Sequence, residues 1–211
     1  MDMFFTLIFV YLFVGVVYLF VFAVAGKIAS PTMYPVSKGV KKIALVIPAY
    51  KEDQIIVDTV KQALVHDYPI EAYSIFVMAD QLSSETLSVL HQLPITVHQV
   101  IHEQSTKAKS LYAFFEMTSS NLFDVVMVLD ADNVMQSGCL KKVSDTFFAG
   151  RKVVQCHRTA KNKNNALAIL DAVSEEIRIN IFFAGQRAFG LSAELIGSAM
   201  AFDFVLLKEI L

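Results

Sequence analysis

The segment at residues 125–132, VVMVLDAD, constrains the fold more than any other part of the sequence. It begins with an uninterrupted apolar run rich in valine. Such a run indicates a strand buried on both faces, as is typical of parallel sheets. The run leads directly into Asp130 and Asp132, whose side chains would point to the same side of an extended backbone. Because ligands of open α/β sheets bind just beyond the carboxyl ends of the strands, both carboxylates are predicted to face a ligand site.

The motif alone leaves two interpretations of this aspartate pair open. Two neighbouring carboxylates repel each other unless a cation lies between them, and their hard oxygens suit Mg²⁺ or Mn²⁺. In the other interpretation, one aspartate caps the following helix and the other is a solvated turn residue. A D-x-D pattern is too short and too common to decide between the two.

Strand and helix patterns alternate along the rest of the chain. The predicted strands are 43–47, 74–78, 95–100, 125–129, 153–156 and 196–202. The predicted helices are 53–66, 83–91, 107–117, 140–149 and 165–183. Strands separated by helices imply βαβ units with a parallel sheet, and about 170 residues are enough for one domain.

A long apolar segment precedes this domain. Residues 3–26 contain no charged side chain, and at about 1.5 Å per residue they can cross a hydrocarbon core of about 30 Å. A cleaved secretory signal is the competing interpretation, because the Ala-Val-Ala at 23–25 resembles a cleavage site. However, no basic segment precedes the run, and it is longer than the usual apolar part of a signal. We therefore predict a transmembrane helix at 3–26, a juxtamembrane linker at 27–42 and one domain at 43–211.

The charges that flank this segment predict its orientation. Lys27, Lys38, Lys41 and Lys42 follow it, whereas only Asp2 precedes it. The positive-inside rule then places the domain in the cytoplasm, with the chain as a single-pass protein of the inner membrane.

Net charge and cysteine content argue against a nucleic-acid-binding protein, a disulfide-bonded fold and a cysteine metal site. The formal net charge is −2 and no large basic block is present, so nucleic-acid binding has no electrostatic support. In a reducing cytoplasm Cys139 and Cys156 need no disulfide. They lack metal-ligand spacing, and we interpret both as small apolar filler.

Polar side chains follow three of the predicted strands. Tyr50 and Glu52 come after the first, Asp80 after the second, and Asp130 and Asp132 after the fourth. In a parallel sheet these positions share one edge, so we expect them to surround one crevice.

The sequence contains neither a G-x-G-x-x-G nor a Walker loop to cradle phosphate. Phosphate charge would then be neutralised by a metal on the aspartates and by lysine. Lys107, at the predicted start of a helix, is the candidate, although spacing alone fits a solvated charge equally well.

The predicted helix at 165–183 has an apolar stripe. Its members are Leu167, Leu170, Val173, Ile177 and Ile181. We predict that the stripe packs in the core. Packing against a membrane surface is not indicated, because the polar face of the helix is not basic.

Five motifs together resemble a known family. They are IALVIPAYKE at 43–52, VMAD at 77–80, STKAKSL at 105–111, VVMVLDAD at 125–132 and VVQCHRTAKN at 153–162. In order and spacing they resemble the family-2 inverting glycosyltransferases, and membrane-anchored members related to cellulose and hyaluronan synthases are the most similar. The resemblance implies the GT-A fold, a Rossmann-like, mostly parallel α/β sheet that binds nucleotide-diphospho-sugars, here preceded by one transmembrane helix.

The resemblance also implies roles for individual residues of the donor site. Ala49, Tyr50 and Glu52 would line the nucleoside pocket. Asp80 would meet the base, and Lys107 would lie close to the nucleotide.

The remaining roles concern the metal and the acceptor. Asp130 would contact the ribose or the metal, and Asp132 would hold Mg²⁺ or Mn²⁺ on the diphosphate. The stretch IGSAMAF at 196–202 resembles the family's acceptor loop. The residues that would approach the acceptor sugar are Gly197, Ser198 and Ala199, although a strand with a small-residue bend fits the same sequence.

The implied reaction moves a sugar, with inversion, from a nucleotide-sugar donor such as a UDP-sugar to a saccharide or lipid-linked acceptor at the cytoplasmic face of the membrane. One departure concerns the general base. Family members have a T-E-D segment and a Q-x-x-R-W motif after the acceptor loop, and neither occurs before Leu211. Asp203 and Glu209 are the acids that follow the loop, and neither lies in such a motif. No catalytic residue is therefore assigned, and the base is expected beyond Leu211.

The sequence leaves two alternatives open. Residues 130–134, DADNV, fit the D-x-D-x-[TV] motif of haloacid dehalogenase-like phosphatases, but that motif normally opens its domain and here three strands precede it. The other alternative is a truncated, donor-binding or inactive membrane protein, because the expected base is missing.

Overall fold

A computed structural model describes residues 3–29, 33–101, 105–119 and 122–211 of the chain. Asp2, used above to orient the apolar segment, and residues 30–32 of the predicted linker lie outside the described residues. The chain divides into two compact units. The helical unit comprises Met1–Met33 and His157–Leu195, and the sheet unit comprises Tyr34–Cys156 and Ile196–Leu211.

The sheet unit contains six strands. They are β1 (Ile43–Tyr50), β2 (Tyr73–Asp80), β3 (Thr96–Val100), β4 (Val125–Val128), β5 (Val153–Gln155) and β6 (Met200–Asp203). Their order in the sheet is β3-β2-β1-β4-β6-β5. The first four are mutually parallel, whereas β6 runs antiparallel to both β4 and β5. The predicted α/β fold with a mostly parallel sheet is confirmed.

Helices connect and cover these strands. In the sheet unit they are α2 (Ile56–Leu64), α3 (Ser84–Leu90), α4 (Lys107–Met117), α5 (Cys139–Phe148) and α8 (Phe204–Ile210), with a short 3₁₀ turn at Ile70–Ala72. In the helical unit they are α1 (Met3–Ile28), α6 (Ala166–Arg178), a π-helical segment (Ile179–Gly185) and α7 (Gln186–Ala188). The predicted bounds of the helix at 107–117 agree with α4 at both ends.

Two helices begin at a residue whose hydroxyl or amide side chain caps the first turn. Ser83 accepts a hydrogen bond from the Thr86 backbone at the start of α3, and Asn165 does the same for Ala168 in α6. These side chains satisfy backbone N–H groups that have no partner inside the helix.

The core lies on both faces of the sheet. Ile43, Leu45 and Ile47 of β1 belong to one buried cluster, whereas Ala44 and Val46 of the same strand belong to the other. Because side chains alternate along a strand, burial on both faces requires the continuous apolar runs seen in β1 and β4.

The helical unit is built on the contact between α1 and the π-helical segment. Asn180 Nδ2 donates to the Ala23 carbonyl at 3.0 Å, and the rings of Phe22 and Phe189 lie 5.3 Å apart. No residue of α1 is buried. Among the described residues, α1 is the one helix whose length and composition suffice for crossing a membrane.

The predicted core stripe of α6 is wrong. Leu167, Leu170, Val173 and Ile177 are all exposed, and Ala172 is the buried residue of this helix. The physical reason is that α1 packs chiefly against the π-helical segment that follows α6. The apolar face of α6 therefore lacks a protein cover among the described residues.

The two cysteines lie side by side in the sheet unit. Cys139 begins α5, Cys156 follows β5, and both are free and pack against the core. A hydrogen bond between the two thiols, followed by burial, raises the pKa of Cys156. The same hydrogen bond lowers the pKa of Cys139. Neither cysteine lines the cavity described below.

Candidate active site

The register of the sheet brings three strand ends to one edge. Tyr50 at the end of β1 lies beside Asp80 at the end of β2. On the other side of β1, the Leu129 N–H donates to the Val46 carbonyl at 3.0 Å, so that the chain leaving β4 follows the same edge. The polar residues after these strands therefore approach one another, as parallel strands dictate.

A cavity of about 330 Å³ lies at this edge of the sheet unit. Six of the residues singled out from the sequence line it: Ala49, Tyr50, Glu52, Lys107, Asp130 and Asp132. The sequence interpretation missed Ser105, Thr106 and Ser110, which line the same cavity; the first two precede α4 and Ser110 lies in its first turn. All three belong to the STKAKSL motif at 105–111, but nothing in their spacing indicates a direct part in the site.

The aspartate pair enters the cavity from a turn. β4 ends at Val128, and the Asn133 N–H donates to the Asp130 carbonyl at 3.1 Å. The predicted extended backbone at Asp130 and Asp132 is therefore wrong, although both side chains line one cavity. The helix-capping interpretation also fails, since the residue at the start of α5 is Gly138.

Lys107 links Asp130 to the loop at 196–199. Its Nζ donates to Asp130 Oδ1 and, at 2.7 Å, to the Gly197 carbonyl. The Lys107 and Asp130 side chains are each about one-third exposed, at 36% and 34%. The interpretation of Lys107 as a solvated charge without a partner is therefore wrong.

The predicted acceptor loop is held against the aspartate turn. Ser198 is fully buried, and its Oγ accepts hydrogen bonds from Asp130 N at 3.0 Å and Asn133 Nδ2 at 2.6 Å. Gly197 has φ +87° and Ala199 has φ +52°. A left-handed φ is costly for alanine, so the surrounding contacts must impose this bend.

Gln155 is a residue of this region that the sequence interpretation did not single out. Its Nε2 donates to the Ser198 carbonyl at 2.9 Å, and its Oε1 accepts from Ile196 N at 3.0 Å. One amide side chain thus provides hydrogen-bond partners for backbone groups on both sides of the bend. The residue belongs to the VVQCHRTAKN motif, but nothing in its spacing indicates this role.

The loop that carries Glu52 is held in place by the next residue, Asp53. Asp53 Oδ1 accepts from Ser83 N at 2.8 Å. Hydrogen bonds from the Thr86 side chain and then from the Ser83 backbone hold the pKa of the Asp53 carboxyl below its ordinary value. The segment between β1 and α2 is thereby tied to the start of α3.

Asp80 is the most unusual carboxylate near the cavity. It is 1% exposed, and neither side-chain oxygen has a hydrogen-bond partner among the described residues. It does not line the cavity directly, but it lies beside Tyr50 in the sheet. A buried carboxylate without a partner is costly to fold, so Asp80 needs a partner beyond the described residues, such as a bound ligand.

The aspartate pair fits a divalent cation. The Asp132 carboxylate is exposed and makes no hydrogen bond or ion pair with a described residue, whereas Asp130 pairs with Lys107. No cluster of three or more His, Cys, Asp or Glu suited to a metal exists in the described part of the chain. Two carboxylates with open positions suit Mg²⁺, which usually takes one or two protein carboxylates together with phosphate oxygens and water.

Comparison with known proteins gives a family match and a set of structural neighbours. The sequence model of the family described as "Glycosyltransferase like family 2" matches residues 41–211. No curated protein matches the sequence significantly.

Three solved structures illustrate the structural similarity. The mannosyltransferase from Pyrobaculum calidifontis, in complex with GDP-Man and Mn²⁺, superposes with a TM-score of 0.69 at 15% identity, over 92% of this chain and 54% of its own. TarS from S. aureus gives 0.56 at 14% identity, over 80% and 49%. Glucosyl-3-phosphoglycerate synthase from Mycobacterium tuberculosis, in complex with UDP, gives 0.53 at 15% identity, over 84% and 64%. The chain thus spans about half of the length of the first two structures, and the likeness concerns the fold.

Proposed function

The chain belongs to glycosyltransferase family 2, and from this membership we propose that its sheet unit binds a nucleotide-sugar and transfers the sugar to an acceptor hydroxyl. One observation carries the proposal. The ends of different strands and the segments that follow them bring three carboxylates, a lysine and a tyrosine to a single cavity of about 330 Å³. A nucleoside diphosphate needs this combination of an aromatic or polar wall and a group of charges for its phosphates.

The donor would lie along the strand ends of β1, β2 and β4. Ala49, Tyr50 and Glu52 would contact the nucleoside, with Asp80 at the base. Mg²⁺ or Mn²⁺ on Asp132 and Asp130 would neutralise charge on the leaving diphosphate as a Lewis acid. Lys107 Nζ lies at the same wall, where it can supply a second positive charge. We favour a UDP-sugar as the donor.

The acceptor would approach the loop at Gly197, which is half-buried, and the buried residues Ser198 and Ala199 would hold that loop in its bend. This loop is joined to Asp130 through Ser198 and Lys107, so acceptor and donor sites would be adjacent. Inverting transfer requires attack by an acceptor hydroxyl on the anomeric carbon and a carboxylate that takes its proton. Asp203 is not suited to this role, since its Oδ1 caps α8 by accepting from Leu206 N at 3.0 Å.

A direct test concerns Asp80. Asp80→Ala should weaken UDP binding about 10- to 100-fold, because a hydrogen bond to a charged group is worth about 1.5–3 kcal/mol. The same change should raise the melting temperature of the nucleotide-free protein, since it removes a buried carboxylate without a described partner. Calorimetry with UDP in Mn²⁺, combined with thermal unfolding, measures both effects.

Glu71→Ala provides the control for Asp80→Ala, because Glu71 is an exposed acid at the 3₁₀ turn before β2. It should leave both quantities unchanged. Wild-type protein that fails to bind UDP, GDP or their sugars in the presence of either metal would refute the donor site. Unchanged UDP affinity in Asp80→Ala would refute the role of Asp80 alone.

We also propose that α1 anchors the enzyme in the inner membrane, with the sheet unit in the cytoplasm and a saccharide or lipid-linked acceptor at that face. The support is the length and apolar composition of α1 together with the lysines that follow it. A cytoplasm-dependent reporter fused after Leu211 should be active, and a reporter that works only outside the cytoplasm should be silent. The reverse pattern would refute this orientation.

The rival functions make different predictions. Family membership does not favour a haloacid dehalogenase-like phosphatase, and phosphoryl labelling of Asp130 by a phosphate ester would be its signature. A donor-binding protein without turnover would bind UDP as proposed but release no sugar from the donor. Transfer or hydrolysis of a nucleotide-sugar by the 211-residue chain would decide against that alternative.

A further inference from the structure

The helical unit contains a groove of about 560 Å³ that the proposed sugar transfer does not use. Ile169, Val173, Ile177 and Ile181, spaced four residues apart along α6 and the π-helical segment, form its apolar floor. Residues at this spacing lie on one face of a helix, so the floor runs lengthwise along it. Ala23 of α1 contributes to the opposite wall.

The rim of the groove carries positive charge. Lys27, in the last turn of α1, and Lys163, just before α6, both line it. Neither makes an ion pair or hydrogen bond with a residue that the structure describes. Glu176 also lines the groove, but its Oε1 lies 3.1 Å from His157 Nε2. The two lysines therefore face the groove without an acidic partner from the described residues.

The surface beside the groove is apolar and exposed. Leu167 and Leu170 of α6 are 78% and 65% exposed. The opposite face of α6 is polar, and Arg178 there pairs with Glu175 and Glu194. That polar face is not basic, so the positive charge beside the apolar surface comes from Lys27 and Lys163 at the rim of the groove.

We propose that this groove binds one anionic phospholipid of the bilayer that α1 enters. An acyl chain would lie along the apolar floor, and the phosphate would lie beside Lys27 and Lys163. The inference rests on the proposed anchoring by α1, because Ala23 and Lys27 place the groove at the inner end of that helix. An anionic headgroup is favoured over a zwitterionic one because it leaves net negative charge to balance the two lysines.

The natural absence of tryptophan allows a selective test. Leu170→Trp, in the full chain, places one fluorophore beside the groove without lining it. The protein is reconstituted in phosphatidylcholine vesicles that contain a small fraction of brominated phosphatidylglycerol or brominated phosphatidylcholine. We expect brominated phosphatidylglycerol to quench the tryptophan fluorescence at a mole fraction roughly tenfold lower than brominated phosphatidylcholine does. The reason is that each lysine near the headgroup contributes a several-fold preference for the anionic lipid.

Paired substitutions separate a site from general attraction to an anionic surface. Lys27→Gln with Lys163→Gln should abolish the preference for phosphatidylglycerol. Lys61→Gln with Lys208→Gln removes the same charge from exposed positions outside the groove and should preserve the preference. Equal quenching by the two lipids, or a preference that survives loss of Lys27 and Lys163, would overturn the proposal.

Two further outcomes distinguish failure of the lipid site from failure of the membrane anchoring by α1. Protein that floats with the vesicles but is quenched by neither lipid would show that protein, not lipid, covers α6, and would overturn the lipid site alone. Protein that stays in the aqueous fraction would refute the anchoring and the lipid site together. Metal-dependent UDP binding tests the donor site separately from both.

Discussion

Asp132→Ala is expected to abolish the metal dependence of nucleotide-diphosphate binding. Asp132 lines the cavity with a carboxylate that has no partner among the described residues, so it is the protein group most available to a cation. Loss of even an outer partner of a metal ligand costs about 10- to 100-fold in affinity, and loss of a ligand should cost at least about 100-fold. Calorimetric titration of UDP with and without Mn²⁺ measures the change.

Thermal stability should distinguish the effects of substituting the two aspartates. Asp130→Ala should also weaken binding, but it additionally removes the partner of Lys107 Nζ and should change the thermal stability. Asp132→Ala should leave the stability of the nucleotide-free protein nearly unchanged, because it breaks no contact with a described residue. Asp58→Ala removes an exposed acid of α2 outside the cavity and is the matched control.

The metal hypothesis fails on one clear result. If wild-type protein binds UDP equally well in chelator and in Mn²⁺, or if Asp132→Ala keeps the full metal dependence, the D-x-D motif does not hold the cation. The fold and the family membership would stand, and the charge of the diphosphate would have to be met by Lys107 and the hydroxyl groups at 105 and 106.

The second large effect concerns two glycines in the helical unit. A Cβ at Gly26 would lie 2.1 Å from the Asn180 carbonyl oxygen, and one at Gly185 would lie 2.2 Å from the Phe22 carbonyl oxygen. Both distances are far below van der Waals contact, and both obstacles are backbone atoms that cannot rotate away. Gly26→Ala and Gly185→Ala should each force α1 and the π-helical segment apart.

Trypsin cleavage after Arg187 should report this separation in the detergent-solubilised protein. Overpacking costs about 1–3 kcal/mol and occasionally more, so each variant should be cleaved roughly 10- to 100-fold faster. The rate follows the open population when reclosing is faster than cleavage. Gly15→Ala is the matched control, because no atom lies within 4 Å of the added Cβ. Equal cleavage of all three variants and the wild type would contradict the close helix contact.

The sequence pattern alone predicted those features of the protein that depend on residues close together along the chain. The apolar run of β4 predicted a strand buried on both faces, because period-two alternation is absent only when both faces are covered. The uncharged run that became α1 and the bounds of α4 followed in the same way. The strand-end positions of Tyr50 and Asp130 on one edge followed from the parallel arrangement of β1 and β4.

Contacts between distant segments decided the rest. Sequence periodicity identified the apolar face of α6 but not what covers it, and α1 packs chiefly against the next segment. The turn that presents Asp132, the amide of Gln155 at the 196–199 bend and the antiparallel β6 likewise depend on partners far away in sequence. Residue type and spacing fix which face of an element is apolar or charged, because those properties are local. Which other element meets that face is set by the packing of the whole chain, and only the tertiary structure contains it.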